Sequence, residues 1–196
     1  MTHLALALWL AVAQDVAADT PQPQPSSAEE RARLAKILQW PAACEADHQA
    51  DADPEGPDDG RVRLFELQER RYLVQVGCAR GAYQDALRFY LFEDDVSAPR
   101  GTALVLASYD LAVDDDDQPI WTPVEREEAA GVASYDATSG TLRLLTLYRG
   151  LGDCGHLASY ILKGKRLELR ELRGRDCDGD PEKAPPPESW PRVFPE

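Results

Sequence analysis

Cys154 stands in the run Tyr-Arg-Gly-Leu-Gly-Asp-Cys-Gly at 148–155, and Cys177 closes the next hydrophobic hairpin. Two cysteines bracketing alternating segments constrain the fold more than any other feature of this chain. Joined, they staple neighbouring strand ends together and hold a β-sheet in place. Four cysteines allow three pairings; the local arrangement favours Cys154 with Cys177, which leaves Cys44 for Cys78. Each closed loop stabilises by about 3 kcal/mol on chain-entropy grounds, a large share of a domain's total.

Disulfides persist in oxidising compartments, and the N-terminal sequence points the same way. Residues 4–13 (LALALWLAVA) are an apolar run of signal-peptide length, too short to span a bilayer, and Ala11-Val12-Ala13 has the small-x-small cleavage pattern. No Lys or Arg precedes that run. The expected organisation is a signal peptide over 1–18, a Pro-rich linker over 19–26 and one β-rich domain over 27–196, periplasmic or secreted. No other stretch approaches a membrane span.

A chain of 196 residues, 43% hydrophobic, is long enough to bury a core. Its 35 acidic and 21 basic residues give a net charge of −14. That balance opposes nucleic acid phosphates and anionic lipid, and favours a basic partner or a cation.

Ser27 and Glu30 form a capping box for a helix over 28–39, with Leu34, Ala35, Ile37 and Leu38 on one face and Pro41 as its stop. The helix should deliver Trp40 and Cys44 to the core. An acidic loop follows over 45–60. Alternating apolar residues then predict strands over 61–67, 72–76, 87–92, 103–108, 132–135, 141–148, 157–162 and 166–172, with hairpin turns at Thr138-Ser139-Gly140 and Lys163-Gly164-Lys165. Thr122-Pro123-Val124-Glu125 reads as a second capping box, opening a short helix that Gly131 ends. Residues 178–189 should be irregular, and Trp190, Val193 and Phe194 a clip packed back onto the domain. The expected class is mainly β (α+β): an antiparallel sheet or sandwich of about seven to nine strands with an N-terminal helix and one short internal helix, stapled by disulfides. Arg80-Gly81 and Arg149-Gly150 each follow a strand at comparable places, which suggests two related hairpin units.

Tyr72-Leu73-Val74 through Cys78, Gly81-Ala82-Tyr83, Tyr109-Asp110, Tyr135-Asp136 before Gly140, the run 148–155 and a closing Trp190-Pro191 together resemble the exported bacterial family known as domain of unknown function 1176. The similarity covers about 60–195, and the run around Cys154 is its specific part. The resemblance implies an exported domain and supplies no catalytic residues.

Other patterns in the chain have plainer readings. Gly150-x-Gly152-x-x-Gly155 matches the dinucleotide fingerprint literally, but the following segment alternates like a strand, whereas that motif opens a helix. Cys154 with His156 as nucleophile and base, or with Cys177 around zinc, needs free thiols and lacks the usual spacing. Asp114, Asp116, Gln118 and Glu125 hold positions 1, 3, 5 and 12 of a calcium-type loop, yet Pro119 occupies the sixth position, where such a loop takes glycine.

The leading expectation is an exported, non-enzymatic binding protein without a cofactor, an inhibitor or immunity-type partner of a basic envelope hydrolase. Its contact surface would be the acidic segments 51–59 and Asp114, Asp115, Asp116 and Asp117. The alternatives are an envelope hydrolase acting on wall or saccharide through Arg149, Asp153 and His156, and a calcium-stabilised structural module.

Overall fold

The computed structural model describes residues 28–51, 61–113, 119–178 and 180–195. Two helices lead, α1 (Ala28–Leu38) and α2 (Ala42–Asp51). α1 ends where Gln39 turns to a φ of 54° and Pro41 forbids continuation. A buried hub joins the pair. The Arg31 guanidinium, 4% exposed, donates to the Glu45 carboxylate at 3.0 Å, and the Trp40 indole N–H donates to the same carboxylate at 2.9 Å.

One sheet runs β1 (Val62–Gln68), β2 (Arg71–Arg80), β3 (Asp85–Glu93) and β4 (Arg100–Ala103) in spatial order, all antiparallel, with β7 (Glu128–Ala130) also pairing β3. The other has the order β6 (Pro119–Arg126), β5 (Val105–Val113), β11 (Arg166–Arg175), β10 (Gly155–Lys163), β9 (Thr141–Leu147) and β8 (Val132–Asp136), with β12 (Arg192–Phe194) lying along β11. Among the described residues, its one parallel contact is between β5 and β11.

The period-two side-chain alternation of a strand sorts residues between two cores. Leu73, Leu87, Phe89 and Leu91 of the first sheet face Leu106, Leu142, Leu144, Tyr160 and Leu167 of the second. Val74, Val76, Tyr90 and Phe92 point the other way, onto Leu34, Leu38 and Trp40 of the helical layer. The first sheet is thus covered on both faces, giving a helix–sheet–sheet stack. Cys44–Cys78 joins α2 to β2, and Cys154–Cys177 joins the approach to β10 to the segment after β11.

The mainly β sandwich, both disulfides and the Trp190 clip stand as the sequence predicts: Trp190 is fully buried and its indole N–H donates to the Pro185 carbonyl at 3.0 Å. Two expectations are corrected. Residues 45–51 of the expected loop are helical, as part of α2, and the expected helix after Thr122 is absent, because that stretch pairs with β5 as β6. Pro119 and Pro123 fit there because β6 is an edge strand, where a missing N–H costs no ladder bond on the open side. Gly131 marks the step from β7, which pairs in the first sheet, to β8, which pairs in the second, rather than a helix end. Ser27 and the acidic residues at 53–59 lie outside the described residues. No described helix is long and apolar enough to cross a membrane.

Candidate functional site

The turns before β3 and before β10 meet at one end of the sandwich. Gln84 holds them together: its amide nitrogen donates to the Leu147 carbonyl at 3.2 Å, and its oxygen accepts from the Leu147 N–H at 2.9 Å. Tyr83 then lies across Gly150, where a Cβ would stand 2.8 Å from the ring, so only glycine admits this contact without a shift. The two Arg-Gly segments noticed in the sequence are therefore neighbours in space.

The 148–155 turn is set by its own residues. The Tyr148 N–H donates to the Cys154 carbonyl at 3.2 Å, Gly152 supplies a φ of 75°, and Gly155, at a φ of 148°, packs against the Thr146 carbonyl. Cys154 is fully buried and anchored to Cys177. Asp153, 2% exposed, points inward and accepts from both Nε (2.9 Å) and Nη2 of Arg149. That bidentate bond holds its carboxyl below the usual carboxylate range against the opposing effect of burial.

What the turn offers outward is apolar. Leu151 is 66% exposed, Tyr83 60% and Tyr148 38%. His156 sits behind Tyr148, its Nδ1 3.4 Å from the phenol oxygen, and burial lowers its pKa to about 4. The imidazole is accordingly neutral at ordinary pH.

Arg149, Asp153 and His156 thus come to one turn, but as parts with different work. Arg149 and Asp153 satisfy each other, and the contact of His156 is with Tyr148. The glycine run is followed by β10, a strand, so the helix N-terminus that a dinucleotide site requires is missing there. Asp114, Asp115, Asp116, Asp117 and Gln118 lie outside the described residues. Glu125, the remaining member of the calcium-type set, stands on β6 with its carboxylate 2.8 Å from Arg166. Among the described residues no group of three or more His, Cys, Asp or Glu gathers to hold a metal.

Sequence reading alone did not identify Gln84 and Leu151 as site residues. The proximity of Gly81-Ala82-Tyr83 to the Cys154 run was the available signal, through the repeated Arg-Gly pattern. No curated protein and no solved structure matches the chain. A family model does match, over residues 7–195, reaching back through both helices: the chain belongs to the family described as Protein of unknown function (DUF1176).

Proposed function

We propose that this chain is an exported binding protein that inhibits a basic cell-envelope hydrolase, and that the Tyr83–Leu151 tip is what it inserts into its target. The observation that carries the reading is the tip itself. Leu151 is two-thirds exposed on a turn held by a disulfide, a part-buried ion pair and the Gln84 clamp. A large apolar side chain presented on a pre-ordered turn loses little further entropy on binding, and such anchors dominate interface energies. Two disulfides support a periplasmic or extracellular setting. A net charge of −14 supports a basic partner, with the acidic segments 51–59 and Asp114–Asp117 adding long-range attraction.

The test is inhibition of peptidoglycan hydrolysis by envelope extract, followed with the purified disulfide-bonded chain at low and high salt. The expected result is inhibition that weakens as salt rises and falls by about two orders of magnitude in Leu151→Asp. Absence of inhibition, or inhibition indifferent to that substitution, overturns the proposal.

A further inference from the structure

The face of the second sheet that looks away from the first carries a polar grid. Leu142, Leu144, Ala158 and Tyr160 point into the inter-sheet core, so the residues alternating with them on β9 and β10 point outward. On β11 a bulge resets the alternation: Ser159 pairs with Glu171 and Tyr160 with Leu169, leaving Arg170 as the extra residue. Leu167 faces the core before the bulge and Leu172 after it, which turns Glu171 and Arg173 outward. Register then lines up two rows across the face. Val132, Leu145, Leu157 and Arg173 stand side by side in one, and Ser134, Arg143, Ser159 and Glu171 in the next.

The chain after β11 returns over this face, where a single 3-10 turn at Pro187–Ser189 packs on β10 and β11. That turn is fixed from both sides. The Ser189 hydroxyl donates to the Pro186 carbonyl at 2.8 Å, the Trp190 N–H to the Pro187 carbonyl at 3.2 Å, and the Gly174 N–H to the Pro191 carbonyl at 3.0 Å. Pro185, Pro186 and Pro187 stiffen the approach. Glu188 thus stands on a wall that is already ordered.

Between wall and sheet lies a cavity of about 180 Å³, lined by Arg143, Leu157, Ser159, Glu171, Arg173 and Glu188. Its inner charges are matched. The Glu171 carboxylate lies 2.6 Å from Arg173 and 3.1 Å from Arg192, and Arg173 also donates to the Trp190 carbonyl. Its outer charges are not. Arg143 has a serine beside it on either strand, and the acid of β8, Asp136, is tied to the Thr138 N–H at 2.8 Å and the Ser139 hydroxyl at 2.7 Å. Neither Arg143 nor Glu188 pairs with a described residue, so an exposed guanidinium and an exposed carboxylate border one cavity without reaching each other.

We propose that this cavity binds a free α-amino acid, with its carboxylate on Arg143 and its ammonium on Glu188. Two unmatched opposite charges on one cavity are complemented by a ligand that carries the same two charges reversed, and a guanidinium offers a carboxylate paired N–H donors. Size agrees with this class. The 180 Å³ equals the liquid share of about six water molecules, the scale of a small amino acid, whereas a hexose has about twice that many heavy atoms. Leu157, 8% exposed, gives the ligand's carbon atoms a floor. In a chain of net charge −14, a cavity lined by two guanidinium and two carboxylate groups is also a place that a ligand carboxylate can approach. No lining residue belongs to the Tyr83–Leu151 tip, so the cavity can fail as a site without affecting the inhibitor reading, and the reverse holds as well.

The test follows the backbone amide resonances of the full disulfide-bonded chain during titration with glycine, L-alanine and D-alanine. Expected are saturating shifts at 143, 157–159, 171–173 and 188, and binding about tenfold weaker for N-acetylalanine, for alanine amide, and in each of Arg143→Gln and Glu188→Gln. Both substitutions remove exposed, unpaired charges, so the melting temperature should stay where it is. No saturating shift from any of the three amino acids, equal binding of the blocked forms, or shifts centred elsewhere overturns the proposal. Saturation of the same amides by N-acetylglucosamine but by no amino acid overturns it equally.

Discussion

His156 shows what a single side chain contributes when its surroundings exclude water. In the unfolded chain an imidazole takes up its proton near pH 6.5, whereas in the fold it waits until about 4. The stability tied to this residue is complete above pH 6.5 and is lost as pH falls toward 4, by up to about 3 kcal/mol. Denaturant unfolding across that window should show the decline, and His156→Asn should flatten it. The glycines of the same turn differ from one another. At Gly155 a Cβ would collide with the Thr146 carbonyl, while at Gly152 nothing lies within 4 Å. Gly155→Ala is expected to cost about 2–4 kcal/mol and Gly152→Ala about 1 kcal/mol, compared by thermal unfolding. The pattern Gly-x-Gly-x-x-Gly was visible in the sequence. Its work here, a bend beside a disulfide with a tyrosine laid on Gly150, depends on Tyr83, which is 67 positions away from Gly150.

Among the elements, those with a strong period of their own were legible: α1 begins and ends within a residue of its expected bounds, and the hairpins β8–β9 and β10–β11 turn where Gly140 and Gly164 supply positive φ. The misreading of β6 has a physical cause. A capping box stabilises a helix start by about 1 kcal/mol, whereas pairing eight residues of β6 with β5 satisfies a whole row of backbone groups. Local signals lose to a long-range partner of that kind. The bulge at Arg170 had no sequence signal either, since it appears only when β10 and β11 are laid in register. The Cys154–Cys177 link, closing 23 positions of sequence, makes the most direct prediction at this scale. Replacing both cysteines with serine should cost about 3 kcal/mol in equilibrium unfolding. It should also speed amide exchange at 149–153 more than in β1 or β2.

For the whole molecule, the central fact is that the two sheets are closed by residues far apart in sequence. Trp190 is completely buried, the Arg173 guanidinium donates to its carbonyl at 3.0 Å, and β12 follows at once. Trp190→Ala is expected to cost about 3–5 kcal/mol in denaturant unfolding, with β10 and β11 losing exchange protection before β2 and β3. The helix-covered sheet should outlast the other, because its central strands are shielded on both faces. The clip also bears on how such a chain is made. The inter-sheet core takes Val193 and Phe194 as packing partners, so it stays unfinished until those residues have emerged from synthesis. A core that waits for Val193 and Phe194 cannot lock while the strands before them are still emerging, so those strands stay pliable until that segment is made.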